Sequence, residues 1–91
     1  MVSRVAIIGI IIESTEQIET MNQLLHQYCQ YIIGRMGIPY RERGIYVISL
    51  ALDAPQDIIN TISGKLGRLP GISTKTLYSN TVFEDMVAED E

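Results

Sequence analysis

The segment VAIIGIII, from Val5 to Ile12, constrains the fold of this chain more than any other segment. It is an unbroken apolar run rich in β-branched residues, a composition that favours a β-strand. Because side chains alternate along a strand, Val5, Ile7 and Ile11 face one way and the even-numbered residues 6–12 face the other. Both sets are apolar, so we predict a central strand that is covered on both faces.

The same segment is not predicted to be a targeting or membrane element. It has eight residues, whereas a membrane-spanning helix needs about 20. Polar residues 13–16 follow it, where a signal peptide would carry small residues for cleavage. The chain has one cysteine, Cys29, and therefore no intrachain disulfide. We expect a cytoplasmic protein that does not associate with membranes.

A helix and a second strand are predicted to follow. Residues 14–17 (STEQ) have the spacing of a capping box, in which Ser14 and Gln17 each bond the other's backbone. Apolar residues at three- and four-residue spacing then predict a helix from Thr15 to Cys29. Tyr31 to Met36 is predicted to be a short strand, followed by a loop from Gly37 to Gly44.

The second half of the chain repeats this pattern of strand, helix and strand. Ile45 to Asp53 alternates bulky and smaller apolar side chains, which is typical of a strand. Pro55 suits the first turn of a helix that continues through Leu66, and Ile72 to Tyr78 is predicted to be the last strand. Two helices can cover only one face of the resulting four-stranded antiparallel sheet. The other face needs its own cover, which a second copy of the chain would supply.

The segment ISGKLGRLPG, residues 62–71, resembles a phosphate-binding loop in composition only. Such a loop precedes a helix, where free N–H groups face the anion. Here the glycines and Lys65 lie at the end of a predicted helix, where carbonyls are free and a cation is favoured. We therefore predict that Gly67 ends the helix with positive φ and that Pro70 and Gly71 form a turn.

The acidic residues are concentrated at the end of the chain. Five of the 11 lie between Glu84 and Glu91, and the whole chain has seven basic residues. We expect an ordered domain over residues 1–80 and a mobile acidic tail over residues 81–91. Because the remainder is almost neutral and has no basic stripe, direct nucleic-acid binding is not expected.

Few residues are candidates for chemistry. His26 and Cys29 are spaced to share one face of a helix and could contact one metal, but the sequence has no other histidine or cysteine. The ordinary interpretation is a surface histidine and a half-buried thiol. No nucleophile constellation is apparent, so we expect a protein that is not an enzyme and has no cofactor. The alternative is a small dimeric ferredoxin-like enzyme or metal-binding protein that uses His26 and Cys29.

Two regions are candidates for ligand binding. Arg35, Arg41 and Arg43 could hold an anion, although a solvated loop is the simpler interpretation. The start of the first helix, with Glu13, Ser14 and Thr15, could form the floor of a pocket for a small polar ligand; ordinary helix capping is the simpler interpretation.

The chain resembles a known family in three segments, which occur in this order: GRMGIPYRERG, IYVISLALDAP and ISGKLGRLPGISTKTL. The chain is similar, from Arg4 to Leu77, to the small ACT-like proteins described as regulators of the iron-only hydrogenase system. The most specific part is Ser63 to Gly67 with Leu69, Gly71 and Thr76, supported by Arg35, Gly37, Pro39, Arg41 and Glu42.

The resemblance implies an α+β, ferredoxin-like βαββαβ (ACT-like) sandwich related to the ligand-binding domain of nickel-responsive repressors. It also implies homodimers or tetramers built through the sheet. ACT-type domains commonly bind amino acids or other small effectors between subunits, near the turn after the first strand, which here is Glu13, Ser14 and Thr15. The several-histidine nickel site of those repressors does not carry over, and regulation would act through a protein partner. A purely structural oligomer without a ligand is a further alternative.

Overall fold

The computed structural model describes residues 2–84 and has the predicted order of elements. The elements are β1 (Val2–Ile12), α1 (Ile18–Gln27), β2 (Ile32–Tyr40), β3 (Ile45–Ala54), α2 (Gln56–Gly67) and β4 (Ile72–Glu84). The strands form one sheet in the order β2-β3-β1-β4, with every neighbouring pair antiparallel. The predicted ferredoxin-like α+β fold is therefore confirmed.

Strand β1 lies inside the sheet, as its apolar sequence predicts. It pairs with β3 on one side and β4 on the other, and β2 and β4 form the two edges. The even-numbered residues from Ala6 to Ile12 expose 1% or less of their surface. They pack in one core with the buried residues of β3, of both helices and of the start of β4, namely Ile48, Leu50, Leu52, Ala54, Met21, Leu25, Ile59, Ile62, Leu66 and Ile72. Both helices therefore cover the same face of the sheet.

The strand β2 is longer than predicted. It continues past Met36 to Tyr40, so half of the expected loop is strand. Pro39 lacks a backbone N–H, but β2 is an edge strand, and an edge strand can carry proline without losing a central ladder bond. The loop shrinks to a 3-10 turn, Arg41–Arg43, that ends at Gly44 with φ 66°.

The start and end of α1 also differ from the prediction. Ser14 makes no side-chain capping bond; the N–H of Gln17 donates instead to the backbone oxygen of Ser14 at 3.2 Å. The result is a 3-10 turn, Thr15–Gln17, before the α-helix, and the predicted capping box is wrong. The helix ends at Gln27, two residues before Cys29, which lies in the next 3-10 turn.

Helix α2 ends at Gly67 as predicted, but Gly67 does not have positive φ. Arg68 keeps a right-handed helical conformation, so the chain reverses later, at Gly71, where φ is 75°. The N–H of Glu13 donates to the Gly71 oxygen at 2.7 Å, which joins this turn to the end of β1.

The segment Ser63 to Gly67 attaches α2 to its neighbours. The Ser63 and Thr76 hydroxyls are 3.2 Å apart, which links α2 to β4. Lys65 Nζ donates to the Tyr28 hydroxyl at 2.9 Å and lies 5.3 Å from the centre of that ring, which links α2 to the end of α1. Leu66 is fully buried between these bonds. The motif that carries the family resemblance therefore has a packing role in this structure.

Strand β4 continues beyond the predicted end at Tyr78. Its register with β1 shifts between Arg4 and Ala6, and beyond the shift Val82 to Glu84 pair with Val2 to Arg4. Four residues of the predicted tail thus belong to the sheet; the acidic residues from Asp85 to Glu91 lie outside the described residues. Within residues 2–84, no helix is both long and apolar enough to cross a membrane.

Two glycine substitutions test the contact between the turns. Gly44→Ala, at a positive φ with no atom near the new methyl group, should lower the free energy of unfolding by about 1–2 kcal/mol. Gly71→Ala should cost at least about 1 kcal/mol more, because its Cβ would lie 2.8 Å from the Ser14 Cβ. Urea unfolding of both variants at one protein concentration measures the difference; equal losses would show that the turns do not pack as described.

Candidate functional site

The turn after β1 is the first predicted ligand site. Glu13 and Thr15 are exposed, and Ser14 is half-buried against Gly71. The N–H of Glu13 is already used by the Gly71 oxygen, and that of Gln17 by Ser14. The turn after β1 is therefore partly exposed and is held in place by the turn at Gly71, which precedes β4. The side chains of Glu13 and Thr15 remain available to contact a ligand.

The two predicted ligand-binding arginines do not lie together. Arg41 follows Tyr40, which pairs with Ile45 at the end of the sheet where Tyr46 pairs with Ile12. Arg41 is thus at the same end as Glu13, about 10 Å away across two strand spacings. Arg35 pairs with Leu50 in the middle of the sheet, on the helix-covered face, and its Nη2 donates to Asn22 Oδ1 at 2.8 Å. The structure separates Arg35 from the other predicted site residues.

The residues of the alternative metal site are not arranged as predicted. His26 lies in the last turn of α1 and Cys29 in the 3-10 turn that follows, so the helical spacing between them is broken. Both side chains are exposed, and the expectation of a half-buried thiol is wrong. Within the described part of the chain, no three histidine, cysteine or acidic residues come close enough to hold a metal ion.

The face of the sheet opposite the helices is a second candidate surface. We call it the open face. Its large apolar side chains expose between 37% and 69% of their surface: Ile7, Ile11, Met36, Ile38, Tyr40, Val47 and Leu77. Directly paired residues of antiparallel strands share a face, so the register places these residues side by side across all four strands. The sequence predicted this uncovered face from β1 and β3 alone; the contribution of β2 was missed because that strand was predicted too short.

A depression lies in the middle of the open face, where β1 has no side chain at Gly9. Its volume is about 470 Å³. Ile11 and Val47 form its apolar wall, and Ser49, Ser73 and Lys75 supply polar groups. The sequence patterns did not predict this feature. The available signal was a single glycine inside an otherwise β-branched strand, which often marks a place where another group approaches the backbone.

The comparisons with known proteins agree with the fold and motif. A family model described as TM1266-like, "Iron-only hydrogenase system regulator, putative", matches residues 4–76. The chain is similar to the uncharacterized protein TM1266 from Thermotoga maritima, with 34% identity, a TM-score of 0.80, and coverage of 84% of this chain and 96% of that chain.

A second structural match is more distant. A formyltetrahydrofolate deformylase from Pseudomonas putida has 13% identity and a TM-score of 0.62, over 85% of this chain and 30% of that one. At this identity the match shows a shared fold only. No curated protein matches the sequence. The family model covers most of the chain and the Thermotoga maritima structure agrees with it, so the chain belongs to the TM1266-like family that carries this description.

Proposed function

We propose that this protein is a non-enzymatic, homo-oligomeric regulatory domain that binds a small effector at a subunit interface. The observation that carries the proposal is the open face: a four-stranded apolar surface opposite two helices that cover only the other side. The family description supports regulation, and the resemblance of the sequence implies assembly through the sheet.

The size of the open face supports a lasting assembly. If about 600–800 Å² of apolar surface per subunit is buried, the gain is about 15–20 kcal/mol before the costs of association. Those costs take about 4–15 kcal/mol, so the balance favours association over most of this range. A second copy is the natural cover because it brings the same apolar surface, and a twofold axis makes the contact self-complementary. If dimers assemble further into a tetramer, the edge strands β2 and β4 would supply the second contact.

The effector is proposed to bind where the end of the open face meets the turn after β1. Glu13, Ser14 and Thr15 lie at that end, and Arg41 is across the sheet from them. Together they offer a carboxylate, hydroxyls and a guanidinium, which suit a small zwitterion such as an amino acid. Arg35 is left out of this site because it is already bonded to Asn22 on the helix side.

Regulation follows if the effector binds one state of assembly better than another. The population then shifts by the difference in affinity, and a protein partner that contacts only one state reads the shift. A cytoplasmic location is part of the proposal, supported by the exposed free thiol of Cys29, which a reducing compartment would preserve.

The assembly is tested by one charge placed on the open face. Val47 pairs with Ile11 and Ile38 at its centre, and Val47→Glu would bury a carboxylate in the interface. We expect a rise of about 100-fold or more in the dissociation constant, measured by light scattering over a dilution series. Thr20→Glu, on the exposed side of α1, is the matched control and should assemble like the wild type. Unchanged assembly of Val47→Glu would exclude the open face as the interface.

The effector site is tested by thermal unfolding with single amino acids as probes. At ten times the dissociation constant, a bound ligand adds about 1.4 kcal/mol, which raises the Tm of a domain this size by about 5 °C or more. We expect such a shift for at least one amino acid, its loss in Arg41→Met, and its retention in the control Arg68→Met. A panel without any shift, or a shift that survives Arg41→Met, would contradict this site.

A further inference from the structure

We propose that the depression over Gly9, which we call the Gly9 depression, is a second ligand site that takes a small amphipathic carboxylate: an apolar body over Gly9 and an anionic group on Lys75. The site is distinct from the proposed effector site at Glu13, four residues further along β1.

Three neighbouring rows of the sheet lie around Gly9. The central row crosses the open face as Met36, Ser49, Gly9 and Lys75. One flanking row is Ile38, Val47, Ile11 and Ser73, and the other is Gly34, Ala51, Ile7 and Leu77. The residues that line the depression come from β1, β3 and β4. Backbone at Gly9 forms its floor, Ile11 and Val47 bound one end, and Ser49 and Lys75 lie to either side of Gly9.

The space at Gly9 is not required by the backbone. Gly9 does not have positive φ, and a Cβ built there would meet only the Lys75 backbone oxygen, at 3.8 Å. Valine or isoleucine would fit the strand and would extend the apolar face without a gap. Glycine thus keeps the middle of the face open, and the depression around it has a volume of about 470 Å³, within the range of small-molecule pockets, about 300–1,000 Å³.

The charge of the site points to an anion. Lys75 is the cation of these three rows, and none of the described residues in them is acidic. Asp53 pairs with Val5, four residues along β3 from Ser49, which is about 13 Å at the rise of a strand. The hydroxyls of Ser49 and Ser73 can donate to the same anionic group.

Assembly through the open face strengthens the need for an anion beside Lys75, and this step rests on the proposed function. If a second copy covers the open face, the Lys75 ammonium loses part of its water, and a buried cation without a partner is strongly unfavourable. A ligand carboxylate supplies the missing charge, and its apolar body fills space that two stacked sheets would otherwise leave empty. Because β4 is an edge strand, Lys75 holds the anion at the rim while the body lies inside.

Isothermal titration with three probes of one chain length tests the site: octanoate, 1-octanol and octylammonium. For the wild type we expect saturable octanoate binding, with weaker octanol binding and the weakest for octylammonium. Lys75→Met should weaken octanoate about tenfold or more and leave octanol unchanged, because it removes the charge and keeps the apolar stem. Arg68→Met is the matched control and should bind octanoate like the wild type.

A second variant tests the space rather than the charge. Gly9→Val should abolish binding of octanoate and octanol together, and Gly64→Ala, at an exposed glycine of α2 with no atom near, is its control. If Gly9→Val fails to fold, the comparison of Lys75→Met with the wild type still tests the site. Absence of octanoate binding to the wild type, equal binding of octylammonium, or full binding by Lys75→Met would each overturn the proposal.

These outcomes are separable from those of the proposed function. A monomeric wild type that still binds octanoate through Lys75 would contradict the assembly and support the Gly9 depression. An assembled protein that responds to amino acids through Arg41 but ignores octanoate would support the effector site and overturn the depression as a ligand site. Octanoate binding should in either case be unchanged in Arg41→Met.

Discussion

The structure depends on burying both faces of one strand. β1 is apolar on each side, and the chain supplies cover for one side only: the even-numbered residues from Ala6 to Ile12 are sealed by two helices. Ile7 and Ile11, on the other side, remain more than two-fifths exposed, and β2, β3 and β4 continue the same apolar surface. A domain of this size has little further chain with which to cover that surface. The uncovered face of β1 is therefore the physical reason to expect assembly. The proposed interface and both proposed ligand sites lie on this face or at its end.

The family motif acts on this arrangement indirectly. Ser63 and Lys65 bond to Thr76 and Tyr28, so the end of α2 is held to β4 and to the end of α1. The turn that follows reaches Gly71, whose oxygen accepts from Glu13 and whose Cα lies against Ser14. The motif thus fixes the turn after β1 through one hydrogen bond and one close contact. An effector bound at that turn would be coupled to the packing of α2, because moving Ser14 requires Gly71 to move as well.

Much of the fold could be predicted because strong local patterns agree with the tertiary structure. The two-sided apolar run of β1 and the alternation in Ile45 to Asp53 identified both central strands, and Pro55 marked the start of α2. The errors have local causes. Pro39 suggested a loop, but an edge strand tolerates proline; Ser14 and Gln17 have capping-box spacing, but a 3-10 turn forms in their place. Arg35 looked like part of a ligand site until the register placed it on the helix side. The Gly9 depression could not be derived from sequence, since it depends on which residues of two other strands, β3 and β4, lie beside Gly9.

The central claim is that the open face is covered in solution, and the isoleucine methyl groups of β1 report this directly. In a methyl-labelled sample with a soluble paramagnetic probe, the signals of Ile7 and Ile11 can be compared with those of Ile8 and Ile10, which are buried within one subunit. The account predicts that Ile7 and Ile11 are shielded from the probe almost as well as Ile8 and Ile10. Strong broadening of Ile7 and Ile11 alone, as expected for a sheet face in contact with water, would contradict it.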